Sequence, residues 1–575
     1  MPRRIFFQET QNAAPKNDCE VIAFWKGGGH ENHAAAAPNG VYEGAYEKIY
    51  APLVAWMEQK PSEDIWFYRG VNLLWCFKYL LFIHAHYAFL MHRAMEKSIS
   101  LSAGDEILVE DSGPSLSEAR LSEILEFSDW KEKLVIRREK TSSAAVAPKK
   151  SRVILKDWVW PEKISHGNLS RKKTVLFADI FKFENLIREL GPKKICIYST
   201  VKSPRVYARS LAMGAGFYQC AQPAAYRPHP EAPRRMPRTD TPMPGFRLKM
   251  EGMDIGGFCA SRLRRLVQAH LDAMLTQIDE THRFFQQAPG LKSALLDEDI
   301  SQQKNIFCQT ASQYGVKTHV KAHGALGGKI GFLPLTADSI FMWGNEQAKK
   351  IGQWGCEPQK AVVSGCSWLE TYRSLDPAKV RKQVLNKFGL DESRPVVVIA
   401  LHARHVVCFV YEQVIQKTVA WMLDVVSKKK DIQFILKLHH GEADTEYYRE
   451  WKRRLEDPRR VVITKTHNPY LLALASDAVV SHHSTYALDA FALNKPVICV
   501  KDEYLTSCLS EVDRFGVFTD VYDPATFEKA LDLMLSHPPQ TGERKTVLRE
   551  CLNIGDGIPG AARFIASRLL PGEVL

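Results

Sequence analysis

An α/β fold of two doubly wound domains is what this 575-residue sequence predicts. The chain is too long for a single core. From about Ala260, short apolar runs alternate with helix-length amphipathic stretches, the pattern of parallel strands joined by right-handed crossovers. The polar clusters also fall just after the apolar runs, where such sheets place ligands.

Taken in order, Cys19–Trp25 is a short apolar run followed by Gly27-Gly28-Gly29, which suits a strand entering a first βα turn. Helices are expected over Tyr42–Gln59 and Val71–Met95. Ile107–Val109 is a compact strand ending on Glu110-Asp111, then come a helix within Leu116–Phe127 and a strand at Lys133–Ile136. Thr141–Arg152, rich in Ser, Ala, Lys and Arg, is expected to be a linker. Thr174–Phe177 and Lys194–Tyr198 are strands separated by a helix at Phe181–Leu190. Gln222–Lys249 holds seven prolines with Arg227, Arg234, Arg235, Arg238 and Arg247, so neither a helix nor a central strand is expected there. It is either a plain insertion or a basic loop that grips an anionic acceptor.

A long helix follows over Ser261–Gln287, and the strand Ser293–Leu296 runs into Asp297-Glu298-Asp299. A helix at Gln302–Tyr314 and a strand at Val316–Lys321 lead to His323-Gly324. The second half continues with strands at Ser339–Trp343, Ala361–Ser364, Val396–Leu401, Gln433–Leu438, Val461–Thr464, Ala478–Ser481 and Val497–Val500. The domains are expected over residues 1–335 and 336–558, with a closing helix from 559 that crosses back to the first domain.

Composition is that of a globular protein, with 45% hydrophobic and 25% charged residues. The net charge of +12 suits anionic substrates or an anionic membrane surface. Nucleic acid is disfavoured as a partner, because no recognisable module or interleaved aromatic pattern accompanies the basic residues. The twelve cysteines show no C-x-x-C pair and no zinc spacing, so reduced buried thiols and a cytoplasmic setting are expected. No secretory leader is expected. Val71–Met91, the most apolar stretch, carries Asn72, Lys78, His84 and His86, and is expected to be a buried helix rather than a membrane span.

Three motifs carry chemistry. In Ala475–Val500 a strand ends at His482-His483-Ser484-Thr485 and a helix begins. Ser484 or Thr485 caps it and free amides would then receive a diphosphate, while Asp489, one turn on, would accept bonds from ribose or sugar hydroxyls. A cap on a core helix is the plainer alternative. In Phe434–Gly441 a buried strand delivers Lys437, His439 and His440. The third motif, His323–Gly365, joins His323-Gly324, Gly327-Gly328, Trp343-Gly344 and Ser364-Gly365, glycines that suit loops closely approached by a ligand. His402 and Arg404, beyond the strand at Val396–Leu401, are further phosphate-ligand candidates.

Over about Lys292–Pro524 these motifs resemble GT-B glycosyltransferases and their relatives. Ser484-Thr485, Asp489 and Asn494-Lys495-Pro496 are similar to the donor-binding pattern, with Asp in place of the commoner Glu and Asn in place of the commoner Gly. Lys437-Leu438-His439 resembles the Lys-x-His-Pro element of bacterial sialyltransferases and CDP-glycerol transferases, His440 replacing Pro. The junction resembles capsule transferases and UDP-N-acetylglucosamine 2-epimerases. The resemblance implies a GT-B architecture with two domains facing a cleft, a nucleotide-phosphate contact at His439, donor contacts at Lys437, Ser484, Thr485, Asp489, Gly344, Gly365 and Arg404, and His323 as the base. Glu110, Asp111 and Asp297 compete for that last role; Glu110-Asp111 lies in a run similar to the Glu-Asp-Gly element of capsular Kdo transferases. Asp297-Glu298-Asp299 and His319/His323 are weak metal spacings, and the resemblance implies that none is bound.

The expected function is transfer of a sugar from a CMP-, UDP- or CDP-linked donor to a carbohydrate, lipid-linked or protein acceptor in surface-polysaccharide or glycoconjugate assembly, with possible contact at the inner face of a membrane. The alternatives are polyol-phosphate transfer, epimerisation of a nucleotide sugar, and a basic nucleic-acid-binding protein.

Overall fold

The computed structural model describes residues 4–8, 20–23, 45–58, 66–98, 105–111, 121–138, 163–177, 183–200, 203–220, 245–403, 409–482, 484–501, 509–536 and 543–572. The glycine triplet 27–29, the linker 141–152 and the Pro/Arg stretch over 222–244 lie outside them, as does Arg404. The chain is mixed α/β and divides into two compact units. One comprises residues 1–180, 191–320 and 334–338, the other 181–190, 321–333 and 339–575.

The first unit holds two parallel sheets where the sequence led to one. Arg4–Gln8, Glu20–Ala23, Glu106–Asp111 and Leu134–Arg138 pair side by side, all parallel. The other sheet places Lys317–Lys321, Ser293–Leu296, Thr174–Phe177, Ile195–Ser199 and Gly216–Cys220 in parallel order, with Lys163–His166 antiparallel at the edge. Parallel strands buried on both faces need no polar alternation, and Thr174–Phe177, Ile195–Ser199 and Ser293–Leu296 are buried along their whole length.

The apolar stretch beginning at Val71 is not one helix. Phe67–Tyr68 and Val71–Asn72 form a small hairpin around Arg69-Gly70, both at positive φ. Asn72 Oδ1 then accepts the amides of Leu74 and Trp75, and the helix Lys78–Ser98 begins only after that turn. Local capping by Asn outcompetes helix continuation here. Among the described residues no helix is long and apolar enough to cross a membrane. The nine described cysteines are all buried, as the spacing led one to expect.

The second unit's main sheet has six parallel strands in the order Val461–Thr464, Gln433–Lys437, Val396–Ala400, Ala478–His482, Val497–Val500, Thr519–Val521. Numbered along the chain this is 3-2-1-4-5-6, the doubly wound order, and its direction of winding reverses between Val396–Ala400 and Ala478–His482. Its core comprises Val397, Ile399, Phe434, Leu436, Val480 and Ile498, with Ile415, Val419 and Met422 of the helix Phe409–Lys428 packed on them. The C-terminal helix Ala561–Leu569 packs on Glu184–Leu190, which belongs to this same unit.

Arg262 and Glu123 form a buried ion pair in the first unit. Arg262 Nη1 lies 3.1 Å from Glu123 Oε2, and its Nε donates to His84 Nδ1 at 3.0 Å. Removing one partner strands the other charge. Glu123→Ala is expected to destabilise the first unit by about 3–5 kcal/mol. Arg262→Met combined with Glu123→Leu should recover most of the loss, read as the thermal unfolding midpoint of each variant.

Candidate functional site

The six-strand order places a crevice at the carboxyl ends of Val396–Ala400 and Ala478–His482, where crossovers leave in opposite directions. Ala400 pairs with Lys437 on one side and with Ser481 on the other, so three strand ends stand abreast. The side chains following them are His402, Lys437 with His439 and His440, and His482 with Ser484 and Thr485. The His402 and His439 rings stack at 5.7 Å and 6°, His402 meets His482 edge-on at 6.3 Å, and His440 lies 4.1 Å from His439.

Hydrogen bonds set what these groups present. The Gly441 amide donates to His439 Nδ1 at 3.1 Å, so that nitrogen carries no proton. Burial, followed by the neighbouring His440, His402 and Lys437, pushes His439 down to about 4. At neutral pH it is therefore an uncharged imidazole with its proton on Nε2, a hydrogen-bond donor. Lys437 Nζ donates to the carbonyls of Leu438 at 2.9 Å and Lys465 at 3.0 Å, two of its three N–H groups. Burial and nearby Lys465 lower its pKa.

The turn at Ser484–Thr485 differs from expectation. The helix it opens, Tyr486–Ala492, spans seven residues. Its leading amides are already bonded: Tyr486 N to Ser484 Oγ, Ala487 N to Ser484 O, and Leu488 N to Thr485 O. The expected anion cradle of free amides is thus absent from these three. The Thr485 hydroxyl makes no capping bond, so side chains rather than amides are what the turn offers. Asn494 sits at φ 66°, the left-handed conformation that Gly, and next to it Asn, adopts most readily; this accounts for the Asn-Lys-Pro turn.

Asp489 faces inward. It is 7% exposed, and burial raises its carboxyl to about 7, the Trp368 indole offsetting part of the rise. A residue placed to bind a ribose hydroxyl would open to the crevice; this one does not.

The junction glycines serve packing. Gly344 is extended (φ −157°), and a Cβ there would meet the backbone of Glu550 and Cys551 within 2.6 Å. Gly365 is at φ 89°, with Leu552 O and Ala561 Cβ 3.2 Å from a built Cβ. Both make room for the C-terminal chain of the same unit.

His323 belongs with the second unit rather than closing the first domain. Trp343 Nε1 donates to Ala322 O at 2.9 Å, Gln347 Nε2 to Gly324 O at 3.2 Å, and Lys350 Nζ to Leu326 O at 2.7 Å. These bonds hold the loop so that a Cβ on Gly324 would lie 3.5 Å from Thr485 Cγ2. His323 is exposed and its ring lies parallel to Phe332 at 4.8 Å.

The competing acids are in the first unit, on different sheets. Glu110 and Asp111 end Glu106–Asp111, and their side chains lie outside the described residues. Asp297 follows Ser293–Leu296 as expected but is ion-paired with Lys304 at 2.6 Å, which also neutralises Glu298. Asp299 accepts the amides of Thr336 and Ala337. That triad braces a loop. Among the described residues no three His, Cys, Asp or Glu side chains converge as metal ligands.

Sequence reasoning missed Trp368 and Tyr470, which enclose Asp489; the only trace was an aromatic just after Gly365.

No protein-family model and no curated protein matches the chain. Solved structures that it resembles include the UDP-GlcNAc 2-epimerase of Methanocaldococcus jannaschii, at 12% identity, covering 69% of this chain and 98% of that one with a TM-score of 0.46. The Neisseria meningitidis enzyme bound to UDP-GlcNAc is similar at 12%, over 69% and 98%, with a TM-score of 0.45. HepE of Anabaena in complex with UDP and glucose follows at 11%, over 69% and 95%, with a TM-score of 0.41. Likeness of this degree fixes neither function nor site.

Two predictions come from this geometry. Gly344→Ala should destabilise the second unit by about 1–3 kcal/mol or more, because the 550–551 backbone must shift; its melting midpoint should fall while the folded fraction keeps any nucleotide affinity. His439 stays neutral in the fold, whereas the unfolded chain binds a proton below its usual value of about 6.5. Stability is therefore lost as pH falls from about 6.5 to 4, and His86 and His319, also held at about 4 by burial, share that loss. His439→Asn should shrink the drop in melting midpoint between those pH values without abolishing it.

Proposed function

We propose that the chain is a nucleotide-sugar-dependent glycosyltransferase whose second unit holds the donor diphosphate at the strand ends Val396–Ala400, Gln433–Lys437 and Ala478–His482. One observation carries the reading: Lys437, the Nε2–H donor of His439 and the hydroxyls of Ser484 and Thr485 stand at the winding reversal of a 3-2-1-4-5-6 sheet. A cationic side chain and neutral donors on neighbouring strand ends suit an anion that gains charge as the sugar leaves. The motif resemblance and the long N-terminal half favour transfer over isomerisation. Arg404, next in sequence to this cluster, is a further phosphate-ligand candidate.

His323, held beside Thr485 by the 321–328 loop, is the proposed base for the acceptor hydroxyl, imidazole having a suitable proton affinity near neutral pH. Asp297 is a poorer candidate because Lys304 already neutralises it. With protein donors facing the diphosphate, the reading requires no divalent cation.

Binding of UDP, CDP, CMP and GDP tests the site. The preferred nucleotide at about 100 times its Kd should add about 2.7 kcal/mol of stability. His439→Ala and Ser484→Ala should each weaken it by roughly tenfold, the worth of one bond to a charged group. If none of the four nucleotides binds, the reading fails; binding untouched by both substitutions removes the assigned residues. His323→Ala should lower kcat by about 100-fold or more at unchanged donor Kd, and EDTA should leave turnover intact. Epimerisation of a nucleotide sugar without acceptor would replace transfer by isomerisation.

A further inference from the structure

Asp489 has no task in the reading above, yet it is a carboxyl group enclosed one turn below the Ser484–Thr485 hydroxyls. Its amide donates to Thr485 O at 3.3 Å, which places the two residues on one helix face, and helical side chains lean toward the N-terminus. The carboxyl group thus lies under the proposed anion position, 7% exposed, and its Oδ1 has no hydrogen-bond partner. Resting on the anion site proposed above, we infer that Asp489 is a positioning residue that takes up a proton from solvent when an anion binds over Ser484–Thr485, and is not a contact for the ligand's hydroxyl groups.

The surroundings leave it alone in that role. Trp368 lies beside it, and Lys321 Nζ stands 4.3 Å from the Trp368 ring and 4.8 Å from the Phe183 ring. The other titratable groups facing Asp489 are Cys366, Tyr470 and Tyr486. Burial holds all three well above their ordinary values, so they stay neutral through the physiological range. Tyr470 is further fixed by stacking on Tyr372 at 4.5 Å, and Tyr486 by donating to Pro469 O at 2.6 Å. A second negative charge one turn away raises the cost of keeping the carboxylate ionised. The step is protonation alone: the carboxylate gains one proton from buffer and becomes a carboxylic acid.

Burial sets the carboxyl near 7 before binding, so uptake is measurable where His439, lowered to about 4, does not titrate. Titration calorimetry of wild type with UDP at pH 7.5, in buffers of different ionisation enthalpy, should show an uptake of about half a proton or more. Above pH 7 the terminal phosphate, whose second pKa is about 6, is ionised and adds little. Asp489→Asn mimics the protonated form. It should abolish the uptake and bind UDP at pH 8.5 about tenfold more tightly than wild type, converging with it near pH 6.5.

A variant that loses affinity at every pH would make Asp489 a ligand contact and overturn the inference. So would equal uptake in both proteins, or no uptake by wild type, a readout that does not depend on the variant folding. If neither UDP nor pyrophosphate binds wild type, the anion site itself falls and this inference with it; that failure is distinct from binding without proton uptake.

Discussion

A parallel sheet with right-handed crossovers can change its direction of winding only by leaving two neighbouring strands whose crossovers depart to opposite sides. In the second unit those strands are Val396–Ala400 and Ala478–His482. Much of what the unit presents follows from that reversal. The polar side chains there range from the buried His482 to the half-buried His402 and His439. The neighbouring Gln433–Lys437 adds its own end to the row, and Val396–Ala400, Phe434–Leu436 and Ala478–Val480 are apolar. The chemistry is therefore concentrated at the strand ends and in the few residues that follow them.

Electrostatics divides those residues into two layers. The upper one holds Lys437, the imidazoles and the hydroxyls, where His439 is kept neutral by partial burial among like-charged neighbours. The lower one is the enclosed set of Asp489, Trp368, Cys366, Tyr470 and Tyr486. A carboxyl group in apolar surroundings resists ionisation, so the one carboxylate of the lower layer is held weakly charged enough to shed its charge near neutral pH.

Much of this was legible in the sequence for a physical reason. Ser293–Leu296 and Val497–Val500 fall where the apolar runs place them, because a strand buried on both faces leaves a contiguous signal. The strand ends at Lys437 and His482 were equally visible, as polar clusters with no packing reason to follow such runs. What stayed hidden depends on partners distant in sequence. Gly344 and Gly365 read as ligand-facing loops, but the backbone that approaches them lies some two hundred residues on. Asp489 read as a ligand contact because sequence spacing gives the turn and not the direction of the side chain. The split of the first unit into two sheets was invisible for a similar cause, since strand pairing across long crossovers leaves no local mark.

The helix Glu184–Leu190 emerges from synthesis long before the sheet it is grouped with, and its companion Ala561–Leu569 emerges last. The second unit is therefore discontinuous along the chain. Leu186, Ile187 and Leu190, buried in the finished fold, wait through the production of some 370 residues before that last helix reaches them. Domains generally fold as units in the order they are made. Here the first-made piece of one unit is carried inside the sequence of the other, so Leu186, Ile187 and Leu190 gain the cover of Ala561–Leu569 only once nearly all of the second unit has been made.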